Sequence, residues 1–217
     1  MAKGILTIVV GNMFSGKTEF LIDDIIPRLR KYGKKELVIL KPEIDKRSGV
    51  GKIKAKLGKT ANEKTMDAID VPHNDMGRIL KTIYDEEKKR NIKFNVIAFD
   101  EVQFFSEIQF YRLTKQLLGD GYDVIVVGLE RDFRDEPFGP IPYLKIIRDF
   151  ELEVTNLDSR TYCMKCSKAG ARYPQRLIDG KPASYHSPQV QVGGSESYEA
   201  RCADCHEVPA KPRIEPN

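Results

Sequence analysis

The clearest chemistry lies between Gly11 and Thr18, which read G-N-M-F-S-G-K-T and match G-x-x-x-x-G-K-[ST] in full. Gly11 and Gly16 let the backbone N–H groups around Asn12, Met13, Phe14 and Ser15 converge on phosphate oxygens. Lys17 then supplies a point charge to the β- and γ-phosphates of ATP, and the Thr18 hydroxyl ligates Mg²⁺. An apolar run precedes the loop and a helical pattern follows it, which argues against a chance glycine-rich turn.

Asp100 and Glu101 follow the apolar run Phe94 to Phe99. Ligands of open α/β sheets bind at the C-terminal edge of the strands, so carboxylates there lie beside the phosphate loop if the two strands are neighbours. Adjacent strand residues point to opposite sides. That assigns Asp100 to Mg²⁺ and Glu101 to an acceptor hydroxyl as general base. Alone, the pair would be a solvated strand end.

The four cysteines form two pairs, Cys163-x-x-Cys166 and Cys202-x-x-Cys205, with 35 residues between them. Four thiolates suit a closed, tetrahedral, structural Zn²⁺ site that pins both ends of the excursion from Ser167 to Arg201. Two unmetallated reduced pairs are the alternative. The first 162 residues hold no cysteine, so this is not a secreted disulfide scaffold, and a reducing cytoplasm is expected.

Two further clusters sit past apolar runs. Phe133 and Phe138 in Phe-Arg-Asp-Glu-Pro-Phe either stack on a planar base or anchor their loop in the core. Arg47 in Asp45-Lys46-Arg47 either pairs with phosphate oxygens or belongs to a solvated charge run.

The elements that must position these groups follow from apolar patterning. Gly4 to Val10, Leu37 to Leu40, Phe94 to Phe99 and Tyr122 to Leu129 are short, apolar runs, as in parallel strands buried on both faces, and Leu152 to Leu157 reads as a last strand. Residues 67–72 add a short strand. Lys17 to Lys31, Met76 to Arg90, Ile108 to Leu118 and Ile141 to Arg148 have helical spacing, with Pro27 kinking or dividing the first. Ile79, Leu80, Ile83 and Tyr84 share a face of the second. Residues 43–66, rich in lysine and glycine, read as a long loop, or as a hairpin arm over Lys52 to Lys59. The alternation predicts an α/β domain over residues 1–157, a P-loop NTPase-like parallel sheet flanked by helices. Residues 158–207 have too little apolar periodicity to build a core without metal. Residues 208–217, with three prolines, read as a flexible tail.

Net charge is +4, far from the footprint of a dedicated nucleic-acid binder, so no stable nucleic-acid partner is expected. No apolar run reaches the roughly 20 residues of a membrane span, and the N-terminus lacks a signal-peptide cleavage site.

Together, GNMFSGKT, FDEVQFF, DFRDEPFG, the paired cysteines and GGSESYEARCADC, in that order, resemble the type II (cytosolic-type) thymidine kinases from Leu6 to about Cys205. The resemblance implies a P-loop domain plus a small zinc domain carrying a lasso-shaped loop. It implies transfer of the ATP γ-phosphate to the thymidine 5′-hydroxyl, with Glu101 as base and Asp45 and Arg47 serving the phosphates. It places Met13, Phe104, Leu129, Phe133 and Tyr198 around the base, with lasso backbone near Val192 to Tyr198, including Gly193 and Gly194, on the thymine edge. Homotetramers and inhibition by thymidine triphosphate are usual in such enzymes. Ser48 stands where bacterial members often have tyrosine, and Val102 where a small residue is common, which would reshape the pocket floor.

Other readings of the same motifs exist. One is a P-loop ATPase whose zinc ribbon grips nucleic acid, with Glu101 activating water. Another is a GTP-dependent module, though no guanine-reading motif is visible. A third is a kinase for another nucleoside.

Overall fold

A computed structural model describes residues 3–55 and 64–213. Six parallel strands form the central sheet: β1 (Ile5–Val10), β2 (Leu37–Pro42), β5 (Ile69–Val71), β6 (Val96–Phe99), β7 (Asp123–Gly128) and β8 (Glu151–Asn156). Their order across the sheet is β5-β2-β6-β7-β1-β8. The inner strands are the apolar runs of the sequence, and they are buried because both faces are covered. One face packs on α3 (Met76–Arg90), α4 (Glu107–Gly119) and α5 (Ile141–Leu144) through Ile79, Ile83, Phe110, Leu117 and Leu144. The other packs on Leu21, Ile25 and Ile26 of the first helical segment and on Ile53 and Ala55.

That first helical segment is divided, as Pro27 requires. α1 (Lys17–Phe20) passes into a π-helical turn at Leu21–Ile25, and α2 (Ile26–Lys31) follows directly with Pro27 in its first turn, so the wider turn falls where proline has no N–H to donate back along the helix. Residues 43–66 are not one long loop. β3 (Lys52–Ala55) pairs antiparallel with β4 (Lys64–Asp67), so the arm starts at Lys52 as expected. The continuation to Lys59 lies outside the described residues. Ile53 and Ala55 are buried against the sheet, which explains why this lysine-rich stretch is ordered there. On α3, Tyr84 is exposed although Ile79 and Ile83 are buried; its hydroxyl faces Asp120 instead of the core. α5 is shorter than its pattern suggested, ending at Leu144 rather than Arg148.

After β8 a small three-stranded sheet follows, β10 (Lys181–Pro182), β9 (Tyr173–Ile178) and β11 (Tyr198–Arg201), with β9 in the middle. Its apolar cluster consists of Cys163, Ala171, Ala200 and Cys202, with Cys205 packed against it. The start of the expected tail does not fray. Pro209 O accepts from Tyr185 N at 2.8 Å, Lys211 N donates to Val208 O, and Lys211 Nζ reaches Arg134 O.

Phe99 ends β6 immediately before Asp100. It is fully buried, edge-on to Phe105 at 6.0 Å and to Phe110 at 4.9 Å. Replacing it with alanine empties the ring's volume beneath the carboxylate turn. Phe99→Ala is expected to cost about 3–5 kcal/mol, read as a lower urea midpoint with unchanged slope.

Candidate active site and cysteine cluster

The phosphate loop caps β1. Gly16 is left-handed (φ 78°) at the start of α1, and Phe14 is also left-handed (φ 67°) and half exposed at the loop's crest. Asn12 is buried and ties the loop down: its N–H donates to Asp158 Oδ1 at 2.8 Å, its side-chain amide to Ala171 O at 2.9 Å, and its Oδ1 accepts from Met13 N. Lys17 Nζ donates to Asn12 O at 3.0 Å. Burial lowers its pKa, while the nearby Glu101 and Asp100 carboxylates work the other way. Ser15 Oγ is buried and has no hydrogen-bond partner among the described residues. An unpartnered hydroxyl inside a ring of backbone donors fits an anion such as phosphate.

The carboxylates reach the loop by a route the strand pattern did not show. β1 and β6 are not neighbours; β7 lies between them. β7 ends in Gly128, where a Cβ would stand 2.5 Å from Gln103 Oε1 and 2.9 Å from Val102 Cγ2. The bare backbone lets the turn after β6 cross over β7 toward the phosphate loop, and Asp100 Oδ2 accepts from Thr18 Oγ1 at 3.1 Å. Burial and the adjacent Glu101 push the Asp100 carboxyl up to about 7. Two oxygens, one on an acid held reluctant to ionise, suit a divalent cation that would take the place of the proton.

Alternation along a strand does not separate Asp100 from Glu101, because β6 stops at Phe99 and Glu101 is left-handed (φ 54°). Glu101 is aimed by its partners. Oε2 accepts from Gln103 Nε2 at 2.6 Å and pairs with Arg47 at 2.7 Å. Gln103 is fixed in turn, its Oε1 accepting from Leu129 N at 3.0 Å. Arg47 is not part of a solvated charge run. Its Nε donates to Asp45 Oδ1 at 2.7 Å and its NH2 to Asp45 Oδ2 at 3.1 Å. Burial alone would lower the Arg47 pKa, but Glu101 and Asp45 outweigh it and raise it. Burial would raise that of Asp45, but the Arg47 hydrogen bond holds it down.

These groups open into one cleft of about 1010 Å³. Met13 through Thr18, Asp45, Arg47, Asp100, Glu101, Phe104, Leu129, Phe133, Gly193, Gly194 and Tyr198 all line it. Gly11 and Asn12 do not, since Asn12 is buried beneath the loop and Gly11 packs on Ser15. Val102 is fully buried in the core and does not form the cleft floor. Phe133 is 2% exposed, with the guanidinium groups of Arg134 and Arg176 each 5.3 Å from its ring, so it anchors its loop while still lining the cleft. Phe138 is edge-on to Phe104 at 6.1 Å.

Several cleft residues escaped the sequence reading. Gln103 sits two places past Glu101, and a strand reading hid its role. Asp132 accepts from the N–H groups of Arg134 and Glu136 and from Gln189 Nε2 at 3.0 Å. Gln191 pairs with Arg176, and its carbonyl accepts from Tyr198 OH at 2.9 Å. Arg47 NH1 also approaches Gly193 O at 3.4 Å. The signal lay in two glutamines within a stretch otherwise short of long polar side chains.

The four cysteine Sγ atoms lie within 4.8 Å of one another. Burial opposes ionising Cys163, yet backbone N–H groups of Cys202, Lys165 and Cys166 hold its thiol down at about 6. Hydrogen bonding with Cys166, together with burial, pushes Cys205 up to about 12. This is the division expected when one thiolate gathers the remaining thiols around it. The four sulfurs could hold a zinc ion, which would favour thiolate at every position. His206, next to Cys205, has its Nε2 2.9 Å from Phe133 O and its ring stacked on Tyr173, joining the cluster to the cleft loop.

Among the described residues no helix is long and apolar enough to cross a membrane. The family model described as thymidine kinase matches residues 4–206. A solved structure described as replication initiator DnaA bound to AMPPCP and single-stranded DNA overlaps 72% of this chain at 14% identity and a TM-score of 0.36. This chain spans only 42% of that one, and a likeness so slight bears on neither fold nor function.

Metal analysis is expected to find about one zinc per chain. Cys202→Ser should lower that content and speed proteolysis within residues 167–201 before the parallel sheet unfolds. Unchanged protease resistance in metal-free protein would contradict a structural role.

Proposed function

The chain belongs to the thymidine kinase family, and on that premise we propose that it transfers the γ-phosphoryl group of ATP to the 5′-hydroxyl of thymidine, a salvage reaction. The observation that carries this reading is the convergence of the phosphate loop, Asp100, Glu101 and the segment from Gln189 to Tyr198 on one cleft. A cleft of that size accommodates a nucleotide and a nucleoside together.

Gly11 through Thr18 cradle the phosphates, and Lys17 and Arg47 offset the charge that spreads over the transferred group. Thr18 and Asp100 would hold Mg²⁺, which supplies charge neutralisation across the phosphates. Glu101 accepts the 5′-hydroxyl proton. The transition state of phosphoryl transfer is loose, so orienting the hydroxyl matters more than strong deprotonation. The contacts from Gln103 and Arg47 keep the Glu101 carboxylate aimed. Met13, Phe104, Leu129, Phe133 and Tyr198 surround the base, and lasso backbone at Gly193 and Gly194 meets its polar edge. Cys163, Cys166, Cys202 and Cys205 would hold a structural zinc that pins the lasso's ends. The family resemblance further implies a homotetramer and inhibition by thymidine triphosphate. Free thiols grouped for a metal fit the reducing cytoplasm.

Phosphorylation assays with labelled ATP across a nucleoside panel test the reading. Thymidine and deoxyuridine should be accepted. Deoxycytidine should be rejected strongly, because its exchanged donor and acceptor leave buried polar groups unpaired. Comparable kcat/KM for deoxycytidine and thymidine would remove the pyrimidine-edge assignment, and no transfer to any nucleoside would remove the kinase. Glu101→Gln retains shape but cannot take the proton. It should lower kcat by about a hundredfold or more with both KM values nearly unchanged. Full activity in that variant would move the base elsewhere.

A further inference from the structure

Lys41 is 1% exposed at the C-terminal end of β2 and does not line the cleft. A buried ammonium is costly unless its donors are engaged. Here Nζ donates to Asp45 O at 3.0 Å and Gly49 O at 2.7 Å, and Asp70 Oδ1 lies 3.5 Å away. The two carbonyls take two of the three donors an ammonium carries, and the Asp70 carboxylate, whose Oδ1 is buried without a hydrogen-bond partner among the described residues, faces it as an ion pair. The two carbonyls bracket Lys46, Arg47 and Ser48. Asp70 also accepts from Gly51 N at 3.1 Å, where the chain turns into β3.

The bracketed turn is held internally by a few hydrogen bonds, one of them from Arg47 N to Asp45 Oδ1 at 3.2 Å. Its internal backbone hydrogen bonds are Asp45 N to Pro42 O and Gly49 N to Lys46 O. Yet Arg47 depends on where that turn sits, since its guanidinium must reach Asp45 and Glu101 together. A continuous set of contacts thus runs from Asp70 through Lys41 to the turn carbonyls, then through Asp45 and Arg47 to Glu101.

We infer that Lys41 is a positioning residue, whose buried ammonium gathers the turn of residues 42–49 so that Arg47 stands against Glu101 beside the phosphate loop. Its effect on rate rests on the phosphotransfer reading above; its effect on nucleotide phosphates does not. Lys41 acts through Arg47, so its removal matters only while Arg47 is present.

The test is a double-mutant cycle on the full chain with Lys41→Met, Arg47→Ala and both together. Kinetics and calorimetric MgATP affinity are read on each, and circular dichroism checks the fold. Lys41→Met keeps the apolar stem. It should lower kcat on the order of tenfold to a hundredfold, because small misplacements of a charged group are expensive in rate, and it should leave nucleoside KM within about twofold. In the Arg47→Ala background the same replacement should change kcat and MgATP affinity by less than about twofold. Equal losses in both backgrounds would overturn the inference, since a merely structural lysine acts additively. If Lys41→Met does not fold, the cycle is run with Lys41→Met/Asp70→Asn, which leaves no stranded carboxylate. If the wild-type protein phosphorylates no nucleoside, the kinase reading fails by itself, and non-additivity in MgATP affinity still decides the role of Lys41.

Discussion

The ion pair between Arg47 and Glu101 is the contact on which the site depends. Asp45, Asp100 and Glu101 bring three carboxylates to one end of the sheet, partly or wholly out of water. Arg47 bridges two of them directly, and a guanidinium cannot relieve its own burial by losing a proton. Removing it would leave buried like charges facing one another, which is far more disruptive than losing a surface pair. The same contact holds Glu101 in a left-handed conformation. Such backbone strain in a non-glycine residue costs about 1–3 kcal/mol and persists where neighbours over-determine it. Here Arg47 and Gln103 do so from two different strand ends.

The crossing of the Asp100–Gln103 turn over β7 is a matter of volume. Gly128 clears the path, and Gly139 clears another: it is left-handed (φ 61°), and a Cβ there would stand 2.5 Å from Gln103 Cα. The turn is thus seated between two bare backbone positions, which lets a residue two strands away from β1 meet Thr18. Rigid placement of this kind is what phosphoryl transfer asks of a protein, because the reaction needs positioned charge more than covalent participation.

The small cysteine-rich part is coupled to the sheet through polar contacts instead of a shared core. Asn12 bonds to Asp158 and Ala171, His206 to Phe133, Gln189 to Asp132, and Arg134 to Ser187 O at 2.6 Å. Of these, the Gln189–Asp132 contact joins two residues that line the cleft, and the others tie the cysteine-rich part to the loops beside it. Such contacts are directional and individually modest. They can fix the register of the closing segment without freezing it by extensive apolar burial.

Much was legible in the sequence because it was local. The phosphate loop declares itself by glycine and lysine spacing, α3 by its period, and the cysteine cluster by two CxxC pairs. Buried parallel strands declare themselves as unbroken apolar runs, since both their faces meet helices. Tertiary structure alone decided how Asp100 and Glu101 divide. Period-2 alternation holds only inside a strand, and β6 ends one residue too soon. It also decided that Arg47 is an ion-pair partner, that Lys41 is buried beneath it, and that residues 52–55 pair as a hairpin arm. Sequence could not show these because each depends on how the chain packs, whether the partner is distant, as Glu101 is from Arg47, or near, as Asp45 and Gly49 are to Lys41. A lysine at the end of an apolar run reads as solvated until the fold brings carbonyls and a carboxylate around its ammonium, and the burial that follows is a property of the packing, not of the residue.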